Sequence, residues 1–122
     1  MTIHRDSEFL KKRAQKEIQK AEEELMKPKE DVVSFSVCAN SRLAMQQLLE
    51  SYLLKNNILI KKHEPLALLL ERCIKLNPKF KTIDFSNVDC RYNANNKNYC
   101  SGLDKVNNCL NIAKQIEDLL NK

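Results

Sequence analysis

The stretch EDVVSFSVCANSRLAMQQLLESYLL, residues 30–54, decides the fold. At helical spacing Phe35, Cys38, Ala39, Met45, Leu49, Tyr52 and Leu53 share one side, while Val33, Val37, Ala44 and Leu48 widen the apolar surface beyond an ordinary amphipathic stripe. A helix this apolar must be covered on most sides. It also carries Asn40, Ser41 and Arg42 at its midpoint, polar groups that need hydrogen-bonding partners or a solvated cleft. Three companion helices are therefore expected to enclose it.

Upstream, from about Asp6 to Met26, Leu10, Ala14, Ile18, Ala21 and Leu25 recur at spacings of three and four, an amphipathic helix that ends before Pro28. The connection is short, so these two helices should lie antiparallel. Downstream, KNNILIKKHEP reads as a loop, and Pro65 suits the first turn of a third helix with His63 or Glu64 near its cap. That helix runs to about Leu76 along Leu66, Leu69, Leu70, Cys73 and Ile74. Phe80, Ile83, Phe85 and Val88 then predict a short helical turn packing aromatics under the bundle, followed by an irregular asparagine-rich loop. Ser101 and Asp104 resemble a capping box opening a last helix through Leu103, Val106, Cys109, Leu110, Ala113, Ile116 and Leu120. The fold class is all-α, a four- or five-helix up-and-down bundle forming one domain over residues 1–122.

Composition agrees with that reading. The 122 residues are 43% hydrophobic and 30% charged with one glycine and three prolines, which suits one core built from a few long helices. No run of about 18 apolar residues is present to span a bilayer. The start MTIHRDSEFLKKR lacks the apolar centre of a signal peptide, so a cytoplasmic location with no membrane partner is expected. The net charge of +5 arises from lysines interspersed with glutamates, a balance that permits contact with nucleotides or nucleic acid without demanding it. Five cysteines, at 38, 73, 90, 100 and 109, form no CxxC pair and read as reduced thiols, with Cys38, Cys73 and Cys109 filling core positions. Cys90, Cys100 and His63 match no standard zinc spacing, so no metal site is expected.

The only glycine, Gly102, rules out the Gly-rich phosphate loops of mononucleotide and dinucleotide sites. No serine or cysteine adjoins a histidine in a nucleophile motif, so neither a catalytic residue nor a cofactor is assigned. Two polar constellations remain. Asn40, Ser41 and Arg42, with Gln46 one turn on, form a row that either hydrogen-bonds a ligand or partner or leaves the arginine reaching solvent or a glutamate. Arg91 and Tyr92, with Tyr99 and Lys97, either stack on a base and hold a phosphate or anchor their loop through buried rings. His63 suits a helix cap, and the same imidazole would serve a ligand phosphate or proton transfer.

The order of these features resembles the HEPN family, the higher-eukaryote and prokaryote nucleotide-binding domains. The resemblance covers nearly the whole chain: SVCANSRLAMQQLLESYL as the long second helix, His63 in KKHEPLALLLERC, the Arg91-Tyr92 dipeptide, Tyr99, and the closing helix LNIAKQIEDLL. It implies an up-and-down bundle that commonly forms a homodimer. As function it implies a nucleotide-binding module or a partner of a small nucleotidyltransferase, with Arg42, His63, Arg91, Tyr92 and Tyr99 as ligand-binding candidates. Some relatives are ribonucleases of toxin-antitoxin systems, and RNA cleavage, or a purely structural dimerisation role, is the alternative reading. The ribonuclease branch uses an arginine and a histidine separated by four to six residues, whereas Arg91 is followed at the matching distances by Asn96, Lys97 and Asn98. The general acid or base is missing, which argues against an enzyme. Asn93 also stands where relatives often carry proline after the Arg-Tyr pair.

Overall fold

A computed structural model describes residues 3–60, 64–85 and 103–121. Among the described residues there are four α-helices and no strand: α1 (Ile3–Leu25), α2 (Ser34–Lys55), α3 (Leu66–Leu76) and α4 (Leu103–Leu120). The all-α bundle expected from the periodicity is the architecture observed. The helix read from residues 30–54 is its central rod, since α2 packs against α1, α3 and α4 alike.

The α1–α2 contact is built on small residues. Ser7, Ala14 and Ala21 recur every seven residues in α1, as do Val37, Ala44 and Ser51 in α2, and all six are buried. The Ser7 hydroxyl donates to the Ser51 carbonyl at 2.7 Å, the Ser51 hydroxyl donates to the Ser7 carbonyl at 2.8 Å, and the two hydroxyl oxygens lie 2.9 Å apart. A serine side chain is so short that these bonds require the two backbones to approach closely. They also fix the register. Stepping seven residues forward in α1 and seven back in α2 sets Ala14 level with Ala44, and a further seven sets Ala21 level with Val37. At the other end of the pair the Leu120 end of α4 lines the same small pocket as Ser7 and Ser51, so α4 runs antiparallel to α1.

The helix ends are satisfied locally. α2 begins at Ser34 rather than at Glu30, because Lys29–Asp31 form a 3-10 turn and Val32 and Val33 are extended. No side chain of α2 itself caps that start; instead Glu24 of α1 accepts the Val33 N–H at 2.9 Å. This bond, together with Lys27 at 3.0 Å, holds the Glu24 carboxyl below the usual carboxylate range. At its other end α2 closes in a Schellman motif, with the Ile58 N–H on the Leu53 carbonyl at 2.9 Å and the Asn57 N–H on that of Leu54 at 3.0 Å. Asn57 occupies the left-handed position at φ 64°, a place glycine would usually take in a chain richer in glycine.

Pro65 is the N-cap of α3 rather than its first helical residue, and no side chain caps that helix. Glu64, read as a cap, instead reaches Arg72. The turn expected around Phe80 is a 3-10 segment, Pro78–Thr82, capped by Asn77, whose side chain accepts the Lys79 N–H at 3.0 Å. Phe80 is fully buried beneath Tyr52, with ring centroids 4.8 Å apart. The core unites Ala14, Ile18, Ala21, Val37, Met45, Leu48, Leu49, Leu53, Leu69, Phe80, Ala113 and Ile116.

Two further readings change. Phe35 and Ala39 belong to the outward side of α2, with Phe35 56% exposed, because α3 covers only the second half of that helix near Leu49. Cys38 is disulfide-bonded rather than a reduced thiol, while Cys73 and Cys109 are buried and belong to no disulfide. The Ser101 cap lies outside the described residues. Among the described residues no helix is long and apolar enough to cross a membrane.

Ala44→Leu forces extra carbons into the narrow α1–α2 contact and is expected to cost about 1–3 kcal/mol in urea unfolding. Ala39→Leu, on the outward side, should leave the midpoint nearly unchanged, within about 0.5 kcal/mol.

Candidate functional site

Four-residue steps along α2 bring Arg42, Gln46 and Glu50 onto one face, and all three are half-buried. Gln46 Nε2 donates to Glu50 Oε2 at 3.5 Å. Beside them, just ahead of α3, Glu64 is buried, its side chain 5% exposed. Its charge is met by Arg72 from the second turn of α3: one guanidinium nitrogen, Nη1, lies 2.9 Å from Oε1 and 3.1 Å from Oε2. The N–H is directed at Oε2, so Oε1 feels the positive charge but accepts no hydrogen bond.

Desolvation pushes the Glu50 carboxyl above its ordinary range, the Gln46 bond opposes the shift, and the neighbouring Glu64 charge adds to it. The arrangement therefore runs from a guanidinium at Arg42, through an amide, to a carboxyl that holds its proton more tightly than usual. Perturbed titration of this kind, in a half-open position beside a second ionised pair, marks a candidate site. It can orient an anionic or hydrogen-bonding ligand at the Arg42 end and present an acid at the Glu50 end.

Of the residues proposed from sequence, Arg42 stands on this face, on the half-buried middle of α2, one turn beyond Cys38. His63, Arg91, Tyr92 and Tyr99 lie outside the described residues, as do Cys90 and Cys100. Ser41, counted in the same polar row, is wholly buried with its hydroxyl unpaired, so it belongs to the interior and not to the site. Sequence reasoning missed Glu50, Glu64 and Arg72. The Gln46-Glu50 spacing was a usable signal; the pairing of Glu64 with Arg72 across Pro65 was not, since it depends on how the chain enters α3. Among the described residues no group of three His, Cys, Asp or Glu side chains could hold a metal ion.

A second depression separates α4 from the Pro78–Thr82 turn, a polar cleft of roughly 210 Å³ lined by Thr82, Asp84, Asn108, Asn111, Ile112 and Gln115. Gln115 Nε2 closes part of it by donating to the Thr82 carbonyl at 3.4 Å. None of the residues proposed from sequence lines it.

Ionising a carboxyl whose folded-state pKa is raised costs stability, and the cost is present above that pKa and absent below the ordinary carboxylate range. Glu50→Gln is accordingly expected to raise the melting temperature at about pH 8 and to leave it unchanged below about pH 4. Parallel thermal melts of the two proteins across that interval check this. No protein-family model matches the chain, and the comparisons with curated proteins and with solved structures return no match.

Proposed function

We propose that the protein is a non-catalytic helical module of the HEPN type that binds a nucleotide or a small nucleotidyltransferase and acts as a homodimer. The observation that carries this reading is Arg42. A guanidinium stands at the half-buried midpoint of the central helix, on one face with Gln46 and Glu50, and its planar fork suits a phosphate. A ligand phosphate would meet the arginines and a base would stack on tyrosine.

The homodimer rests on a different observation. Val33, just ahead of α2, and Phe35 and Leu43 on its first half are 50%, 56% and 41% exposed, apolar surface of the kind a self-complementary contact uses.

Isothermal titration with a panel of nucleoside mono-, di- and triphosphates tests the ligand. Saturable heat is expected for the wild type, and a loss of affinity of about tenfold or more for Arg42→Ala, the effect of removing a charge-assisted bond. No saturable heat with any nucleotide discards the nucleotide half. Light scattering after size exclusion tests assembly: a dimeric mass is expected for the wild type and a monomeric one for Leu43→Glu, and a monomeric wild type discards the dimer.

A further inference from the structure

We infer that the outward face of α1 is a docking surface for single-stranded nucleic acid. This inference is independent of the Arg42 reading and uses residues of α1 alone. Phe9, Lys12, Arg13, Lys16 and Lys20 fall on the side of α1 opposed to Ala14, Ile18 and Ala21, and all five are exposed. The acid at position 17 is turned inward: Glu17 is buried and takes the Lys20 ammonium at 3.4 Å. Glu23, further along, is engaged by Gln19 at 3.3 Å. Residues 7–20 therefore present cations outward, with Glu8 as the one exposed acid among them.

Two features match a nucleic-acid strand better than other polyanions. Lys12, Lys16 and Lys20 step at about 6 Å per four residues, a row of charges that tracks an extended backbone of phosphates rather than one ion. At the head of the row Phe9 is 59% exposed, with the Arg13 guanidinium 5.6 Å from its ring centroid. An exposed aromatic face backed by a guanidinium is a platform on which any base stacks. A bilayer surface would need a broad apolar face, and that face of α1 is already spent against α2, leaving Phe9 alone outward over residues 7–20.

Fluorescence anisotropy of labelled oligouridylate and oligothymidylate, titrated with the full chain at low and at physiological salt, tests this. Binding is expected that weakens steeply with salt; Lys12→Glu/Lys16→Glu should weaken it by about tenfold or more, and Phe9→Ala by roughly fivefold or more. Lys12→Gln/Lys16→Gln, with folding of each variant verified by circular dichroism, gives the same direction should the charge reversal destabilise the helix. The inference is overturned by absence of binding in the wild type, by unchanged affinity in the lysine and Phe9 variants, by displacement of the oligonucleotide with polyglutamate at equal charge concentration, or by binding to phosphatidylserine vesicles that the oligonucleotides do not compete away.

Discussion

The close approach of α1 to α2 is the constraint on which the rest of the structure depends. Two serines whose hydroxyls reach each other's main-chain carbonyls leave no room for larger side chains along that seam, and Ala14, Ala21 and Ala44 continue it. The exchange satisfies two buried hydroxyls and two carbonyl lone pairs that would each be costly unmet. Because α2 spends small residues on this side, its larger ones, Met45, Leu48, Leu49 and Leu53, are free to meet α3, α4 and the aromatic turn. A helix whose apolar residues surround it has no single face to choose, and the seam supplies the missing orientation.

With one glycine in the chain, turns are built from other chemistry. Asn57 takes the left-handed residue of the α2 C-cap, where a short polar side chain makes that conformation tolerable. At the opposite end the N–H that a local serine or aspartate would ordinarily satisfy is satisfied from across the hairpin, by Glu24. The same carboxylate, carried on the last turn of α1, thus caps the start of α2 and pairs with Lys27. The connection is short enough for one side chain to span it, which is why the antiparallel arrangement needs no dedicated loop motif.

The helices were legible because burial of apolar surface dominates their energetics and follows the 3.6-residue period, as Ala14, Ile18 and Ala21 or Cys109, Ala113 and Ile116 illustrate. What periodicity could not resolve is which side of an all-round apolar helix stays open. Phe35 and Ala39 looked interchangeable with Leu49 and Leu53, and only the shortness of α3 separates them. The start of α2 was placed too early for a related reason: Glu30 and Asp31 are ordinary first-turn residues, and the 3-10 turn that takes them is set by Pro28 and by the reach of Glu24. Of the site, Arg42 was visible as a charge amid apolar neighbours. Glu64 and Arg72 were not, because their relation is tertiary, and Cys38 looked like core filler because it is also buried.

The electrostatics of the α2–α3 edge turn on Arg72. About two turns separate Arg42 from Glu50 along α2, a rise of roughly 12 Å, so an anion at Arg42 feels Glu50 and Glu64 through a partly solvated path. Two full negative charges there would offset much of the attraction of Arg42. Pairing Glu64 with Arg72 removes most of one of them, and burial of Glu50, which favours its protonated form, diminishes the other. The residual repulsion of Glu50 from Glu64 adds to that shift, so the two carboxyls act together to hold the edge closer to neutral. The acidic pair is in this sense compatible with anion binding one helical turn beyond Gln46, and Arg72, which touches neither Arg42 nor Glu50 by any hydrogen bond or ion pair among the described residues, is the group that makes it so.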